Sequence, residues 1–199
     1  GYIVGGFFET NTIELNIGVN LTNSSDRYPD GMIIKYNSEG KVEWAQRIGG
    51  NDYDHIYSVL ETSDGGYIVG GDFRSYIIEV ENGVNIAPKN CDGMIIKCNS
   101  EGKAEWAQGI GGTDSDYINS VAETSDGNYI VGGYFASGSI DIGDEKYLVK
   151  NDIGYTDGMI LKIVDKIGVP EVQEIEVNNK RKEFKITTDV NEIDNIKGG

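Results

Sequence analysis

Two pairs of carboxylates are the residues most able to do chemistry. Asp52 and Asp54 lie in "GGNDYDHI", and Asp114 and Asp116 lie in "GGTDSDYI", each pair a D-x-D directly after two glycines. Alternate carboxylates in a turn can offer oxygens to Ca2+. These four acids are therefore the candidate metal ligands, with calcium as the ion. They lack the longer D-x-[DN]-x-[DN]-G calcium loop, and Asp side chains also stabilise turns by accepting backbone N–H bonds. Turn capping is thus the expected role and calcium the alternative. Asp30, Asp92 and Asp157, each before Gly-Met, read as turn residues too. The sole histidine, His55, aligns with Tyr117, which suggests ring packing, while Arg27, Arg47 and Arg74 have no evident acid partner or nucleophile nearby. No G-x-S-x-G, H-E-x-x-H or phosphate loop occurs, so neither catalytic residues nor a cofactor site are expected.

The elements that must position these residues come from a repeat. "GYIVGGFF" opens the chain and returns as "GYIVGGDF" and "NYIVGGYF", with Tyr2, Tyr67 and Tyr129 spaced by 65 and 62 residues. "DGMIIK" at Asp30 and Asp92 and "DGMILK" at Asp157 keep the same steps in reverse order, 62 then 65. "NSEGKVEWAQRIGG" from Asn37 recurs as "NSEGKAEWAQGIGG" from Asn99, placing Trp44 and Trp106 62 apart, and has no third copy. Phrases written at a fixed interval point to repeated structure before they point to chemistry.

Within one period, "IYSVLETS" alternates as a strand and "SDGG" supplies the Asp-Gly pair that a tight hairpin favours. "YIVGGDF", "GMIIK" and "KAEWAQGIGG" follow as strands, with glycines allowing a bulge or close backbone approach. Four antiparallel strands per period predict an all-β fold of β-propeller blades. The chain then holds about three four-stranded blades, in pieces of about 1–50, 51–112 and 113–168. Residues 169–199 read as a linker and a hairpin ("EIEV" and "EFKITT" around "NNKRK") beginning a further module. The segments from Thr10 to Pro29, Arg74 to Cys91 and Ala136 to Thr156 differ between copies and are expected to form extra hairpins at the blade margins. Variation against a constant frame marks them as a candidate recognition surface.

The paired glycines after "YIV" and the downstream Trp strand resemble Kelch repeats. The fuller pattern "ETSDGGYIVGG…DGMIIKxNSEGKxEWAQxIGG" is closer still to propeller repeats of secreted and wall-anchored proteins from Gram-positive gut bacteria such as clostridia. The likeness covers Gly1 to about Gly168, and the period exceeds the ~50 residues usual for Kelch. It implies a secreted or cell-surface location.

Composition agrees with a globular chain: 199 residues, 28 Gly, 3 Pro and 38% hydrophobic residues. No run approaches the ~18 apolar residues of a membrane span, so membrane insertion is not expected. A net charge of −16 disfavours nucleic acid and anionic membrane surfaces. Cys91 and Cys98 bracket one strand, ~23 Å apart at ~3.3 Å per residue, too far for a disulfide. They read as small hydrophobes. The Asn20 and Asn23 sequons read as chance. With no initiator Met and no signal peptide, the chain reads as part of something longer, an incomplete propeller whose third blade lacks its outer strand. Further blades of a parent chain, or self-association, would then cover its open faces. The expected function is a non-catalytic scaffold or binding surface for a protein or glycan. The alternative is a glycan-active hydrolase or lyase with its acids in blades elsewhere.

Overall fold

The computed structural model describes residues 1–16, 18–80, 84–87, 90–142, 147–150, 155–165, 170–174 and 185–187. Every regular element among them is a β-strand. The first repeat runs β1 (Tyr2–Phe8), β2 (Thr12–Asn16), β3 (Val19–Thr22), β4 (Asp30–Tyr36) and β5 (Val42–Ile48). The second runs β6 (Asp54–Glu61), β7 (Tyr67–Phe73), β8 (Ile78–Val80), β9 (Val84–Ile86), β10 (Asp92–Cys98) and β11 (Ala104–Ile110). The third runs β12 (Asp116–Glu123), β13 (Tyr129–Phe135), β14 (Ser139–Asp141), β15 (Tyr147–Val149), β16 (Asp157–Asp165) and β17 (Pro170–Glu174), and β18 (Lys185–Thr187) comes last. The three main sheets, β1-β4-β5, β6-β7-β10-β11 and β12-β13-β16-β17, are wholly antiparallel, and all three expected margin hairpins form as β2-β3, β8-β9 and β14-β15.

Local chemistry sets the turns. Gly65 and Gly127 take positive φ (82° and 74°) at the two Ser-Asp-Gly tips, where a side chain would be strained. At the Asn-Ser-Glu-Gly turns, Asn37 Oδ1 accepts the N–H of Glu39 and Lys41, both at 2.9 Å, and Asn99 Oδ1 accepts those of Glu101 and Lys103, both at 3.0 Å. That self-bonding closes the turn without a helix, so "EWAQ" emerges as strand in both β5 and β11.

The sheets stack face to face, and the paired glycines decide how closely. A Cβ at Gly5 would press on Ile56 and Val59, and one at Gly70 on Ile118 and Val121. The first glycine of each pair thus lets the next sheet's inner strand, β6 or β12, lie against the backbone. The second glycine has another reason. A Cβ at Gly71 or Gly133 would run into the backbone carbonyl of His55 or Tyr117, where β6 and β12 bulge by one residue against β7 and β13. Between the first and second sheets lie Ile33, Ile48, Ile56, Tyr67, Val69 and Phe73, and between the second and third lie Ile68, Ile95, Ile110, Ile118, Val131 and Leu161.

One expectation is corrected. The third sheet does not lack an outer strand: Pro170–Glu174 pairs antiparallel with β16, with Asp165 opposite Pro170 and Ile163 opposite Val172. Val172 is buried in the core, which supplies the apolar anchor, and Pro170 sits at the strand's first residue, where its missing N–H is tolerated. Gln173 stands opposite Lys162, the station that Trp44 and Trp106 take opposite Lys35 and Lys97. β18 joins β15, so this part of the tail extends the third margin hairpin. The hairpin expected around "NNKRK" lies mostly outside the described residues.

The two tryptophans solve one packing problem twice. Trp44 packs edge-on against Tyr67 (5.4 Å) and Trp106 lies against Tyr129 (6.2 Å), each reaching the second strand of the following sheet. Trp106 is the more deeply buried and donates from Nε1 to Asp165 at 3.0 Å. Trp106→Ala should therefore cost ~3–5 kcal/mol in chemical denaturation, and Trp44→Ala distinctly less. Equal costs, or a harmless Trp106→Ala, would contradict this packing.

Candidate functional site

The D-x-D acids form two matching corners. Asp54, fully buried, accepts four hydrogen bonds: from Gly50 N (2.8 Å) and Ser75 Oγ (2.5 Å) on one oxygen, and from Arg74 N (3.2 Å) and Ser75 N (3.3 Å) on the other. Asp116 repeats the arrangement with Gly112 N (2.9 Å), Ser137 Oγ (2.7 Å), Ala136 N (3.1 Å) and Ser137 N (3.2 Å). The preceding glycine is required, because a Cβ at Gly50 or Gly112 would meet the Ser75 or Ser137 side chain at 2.8 Å. Asp52 and Asp114 lie nearer the surface and give their N–H to the same serine hydroxyls, at 2.9 and 3.0 Å. Each inner carboxylate is thus consumed by protein donors, as capping requires. Among the described residues no three His, Cys, Asp or Glu side chains gather as a metal-binding group.

Asp30 forms a related corner, accepting from Ser24 N (2.7 Å), the Ser24 hydroxyl and Arg47 Nη1 (3.2 Å). Arg47 therefore does have an acid partner, one that sequence separation hid. Beside it, Ser24, Arg47, Gly50, Asn51, Tyr76 and Ile77 help to line a cavity of about 340 Å3. Its arginine also donates to the Gly49 carbonyl, which leaves its charge largely spoken for.

Elsewhere, positions that differ between repeats come together. Phe7, Asp72 and Tyr134 occupy one station of the "YIVGG-x-F" strand, His55 and Tyr117 share another, and Tyr57 and Asn119 are the extra residues of the two bulges. Asp72, buried beneath this surface, lies 3.2 Å from His55 Nδ1, and Cys91 Sγ donates to its other oxygen at 3.4 Å. The His55 ring meets Phe7 edge-on (4.6 Å) and stacks with Tyr57 (5.9 Å), so the expected ring packing is present together with the carboxylate contact. Tyr117 stacks on Tyr134 at 4.7 Å, and the Arg74 guanidinium lies over Tyr53 at 5.5 Å. Phe7, Tyr53, Tyr57 and Tyr134 all remain substantially exposed.

Burial shifts the protonation of three groups upward. Burial, then a hydrogen bond to Asp72, pushes the Tyr57 hydroxyl far up. Burial likewise raises the Cys91 thiol, and lifts Cys98 to about 12. That direction is opposite to the one that activates a thiol as a nucleophile. Sequence reasoning missed Asp72, Tyr57 and Tyr134. The available signal for Asp72 and Tyr134 was the single position at which the three "YIVGG-x-F" phrases disagree.

No family model matches the chain, and no curated protein matches it.

The corners make a pH prediction. Burial pushes the Asp54 carboxyl up from 3.8 to about 6, against the hydrogen bonds from Ser75, Gly50 and Arg74 that pull it down. Asp116 is raised for the same reason. The folded chain then holds this proton more tightly than the unfolded chain. Asp54's contribution is full below about pH 4 and is lost as pH rises through about 6. The stability of the native chain minus that of Asp54→Asn should fall by about 3 kcal/mol across that window. A pH-independent difference in denaturation experiments would refute it.

Proposed function

We propose that the three stacked sheets are successive blades of a β-propeller of the Kelch-like kind, belonging to a secreted or cell-surface bacterial protein. In this reading the segment is non-catalytic and presents a binding surface for a protein or glycan. The observation that carries it is the convergence of the side chains that the repeats do not share. A frame that repeats its strands, turns and carboxylate corners nevertheless places Phe7, His55, Tyr57, Asp72, Arg74 and Tyr134 in one region, with several rings open to solvent. Half-exposed aromatic rings over a fixed polar floor offer large contact area at small entropic cost, the composition that binding surfaces favour. The stacking of equivalent sheets and the sequence resemblance support the propeller part of the reading. Two raised thiols and a buried, hydrogen-bonded Asp72 support the non-catalytic part.

Arrays of glycans and of extracellular proteins, probed with the labelled chain, test this proposal. Binding that falls at least about tenfold in the Tyr57→Ser, Tyr134→Ser double variant, with its melting unchanged, is the expected result. Binding indifferent to both substitutions would place the surface elsewhere. Release of new reducing ends from a bound glycan would favour the glycan-active enzyme instead.

A further inference from the structure

We propose that the edge of β1, unpaired among the described residues, is a docking site for one more strand of the β6 and β12 type, supplied by another stretch of this same repeat. The inference rests on residues of the first repeat that are built for a neighbour that no described residue supplies, and it is independent of the aromatic surface. At Gly71 and Gly133 a glycine is demanded by the carbonyl of the inner strand's bulge. Gly6 holds the same place in β1, where a Cβ would meet only the Met32 Cε, at 3.5 Å, an ordinary contact. Within the first sheet nothing requires this glycine. A bulged strand along β1 would.

A second position agrees. Thr10 stands two residues past Phe8, as Ser75 and Ser137 stand past Phe73 and Phe135, and Thr10 is exposed. In the later repeats that hydroxyl, with the N–H groups of its own residue and the one before, holds the carboxylate that opens the inner strand. Glu9 and Thr10 therefore offer an aspartate-binding corner matching those at Asp54 and Asp116.

The pairing of β6 with β7 fixes the occupant's chemistry and register. Asp54 faces Phe73, Ile56 faces Gly71, Ser58 faces Gly70, Val59 faces Val69 and Glu61 faces Tyr67. Transferred to β1, an aspartate sits opposite Phe8, an isoleucine opposite Gly6, a serine opposite Gly5, a valine opposite Val4 and a glutamate opposite Tyr2. The docked strand would supply the ladder hydrogen bonds that an edge strand leaves open, the usual route by which an extended peptide joins a sheet.

A fluorescent peptide with the sequence from Gly111 to Asn128 provides the test. It is titrated by anisotropy into the full chain, at physiological salt so that repulsion between two acidic partners is screened and at a concentration where sedimentation shows a monomer. Saturable one-to-one binding is expected. It should weaken about tenfold or more when the chain carries Gly6→Val or when the peptide carries Asp116→Leu. Gly6→Val should leave the free chain folded, as circular dichroism can verify, and Gly6→Ala serves as a milder second variant. Absence of saturable binding to the folded chain, or binding unchanged by both Gly6→Val and Asp116→Leu, would overturn the proposal.

Discussion

The arrangement depends on a backbone carbonyl resting where a side chain cannot be. Beside the bulges at Tyr57 and Asn119, His55 and Tyr117 lay their carbonyls over Gly71 and Gly133, positions that no other residue could fill without moving the strand. From that contact the rest follows. The bulge offsets the inner strand, so that Ile56 and Val59 reach Gly5 of the preceding sheet and Ile118 and Val121 reach Gly70. Branched side chains meet bare backbone there, and sheets that would otherwise be held apart by facing side chains close into a continuous core. The Gly-Gly pair is thus two requirements written side by side, one for the strand's own neighbour and one for the next sheet.

Hydrogen bonds to two buried aspartates tie the same joint. Four donors on each of Asp54 and Asp116 tie the start of the inner strand to the loop leaving the second strand, at the point where the chain passes from one sheet to the next. Because these acids serve the frame, the frame can tolerate change one station away. The residue before the phenylalanine in "YIVGG-x-F" is Phe7, Asp72 or Tyr134 without disturbing the strand, and the bulge residue is Tyr57 or Asn119. The division between shared and unshared positions is therefore also a division between stability and surface chemistry.

Much of this was legible in the sequence. The period, the four strands of the second repeat, the tight Asp-Gly turns and the margin hairpins all follow from spacing and turn chemistry. So does the strand nature of "EWAQ", since an Asn-closed turn precedes it. What escaped was set by tertiary contact. β17 carries none of the Trp phrase and was hidden behind Pro170, although Val172 fills the core as an outer strand must. Ser75 and Ser137, the partners that turn the D-x-D acids into caps, lie 21 residues beyond them, in segments that looked merely variable. The Arg47–Asp30 pair and the cluster around Asp72 likewise join residues whose nearness only the folded sheets create.

The glycine contact is the claim most directly open to measurement. Neither Gly6 nor Gly71 has positive φ, so alanine at either place changes the space filled and not the backbone region required. Unfolding free energies of Gly71→Ala and Gly6→Ala, measured by chemical denaturation, isolate the carbonyl seated over the first of these two variants' sites. The account predicts that Gly71→Ala loses several kcal/mol, in the range of strain from overpacking or beyond, on the order of 1–3 kcal/mol or more. Gly6→Ala should be neutral or slightly stabilising, by up to about 1 kcal/mol. Equal effects of the two substitutions, or a Gly71→Ala chain as stable as the native one, would contradict it.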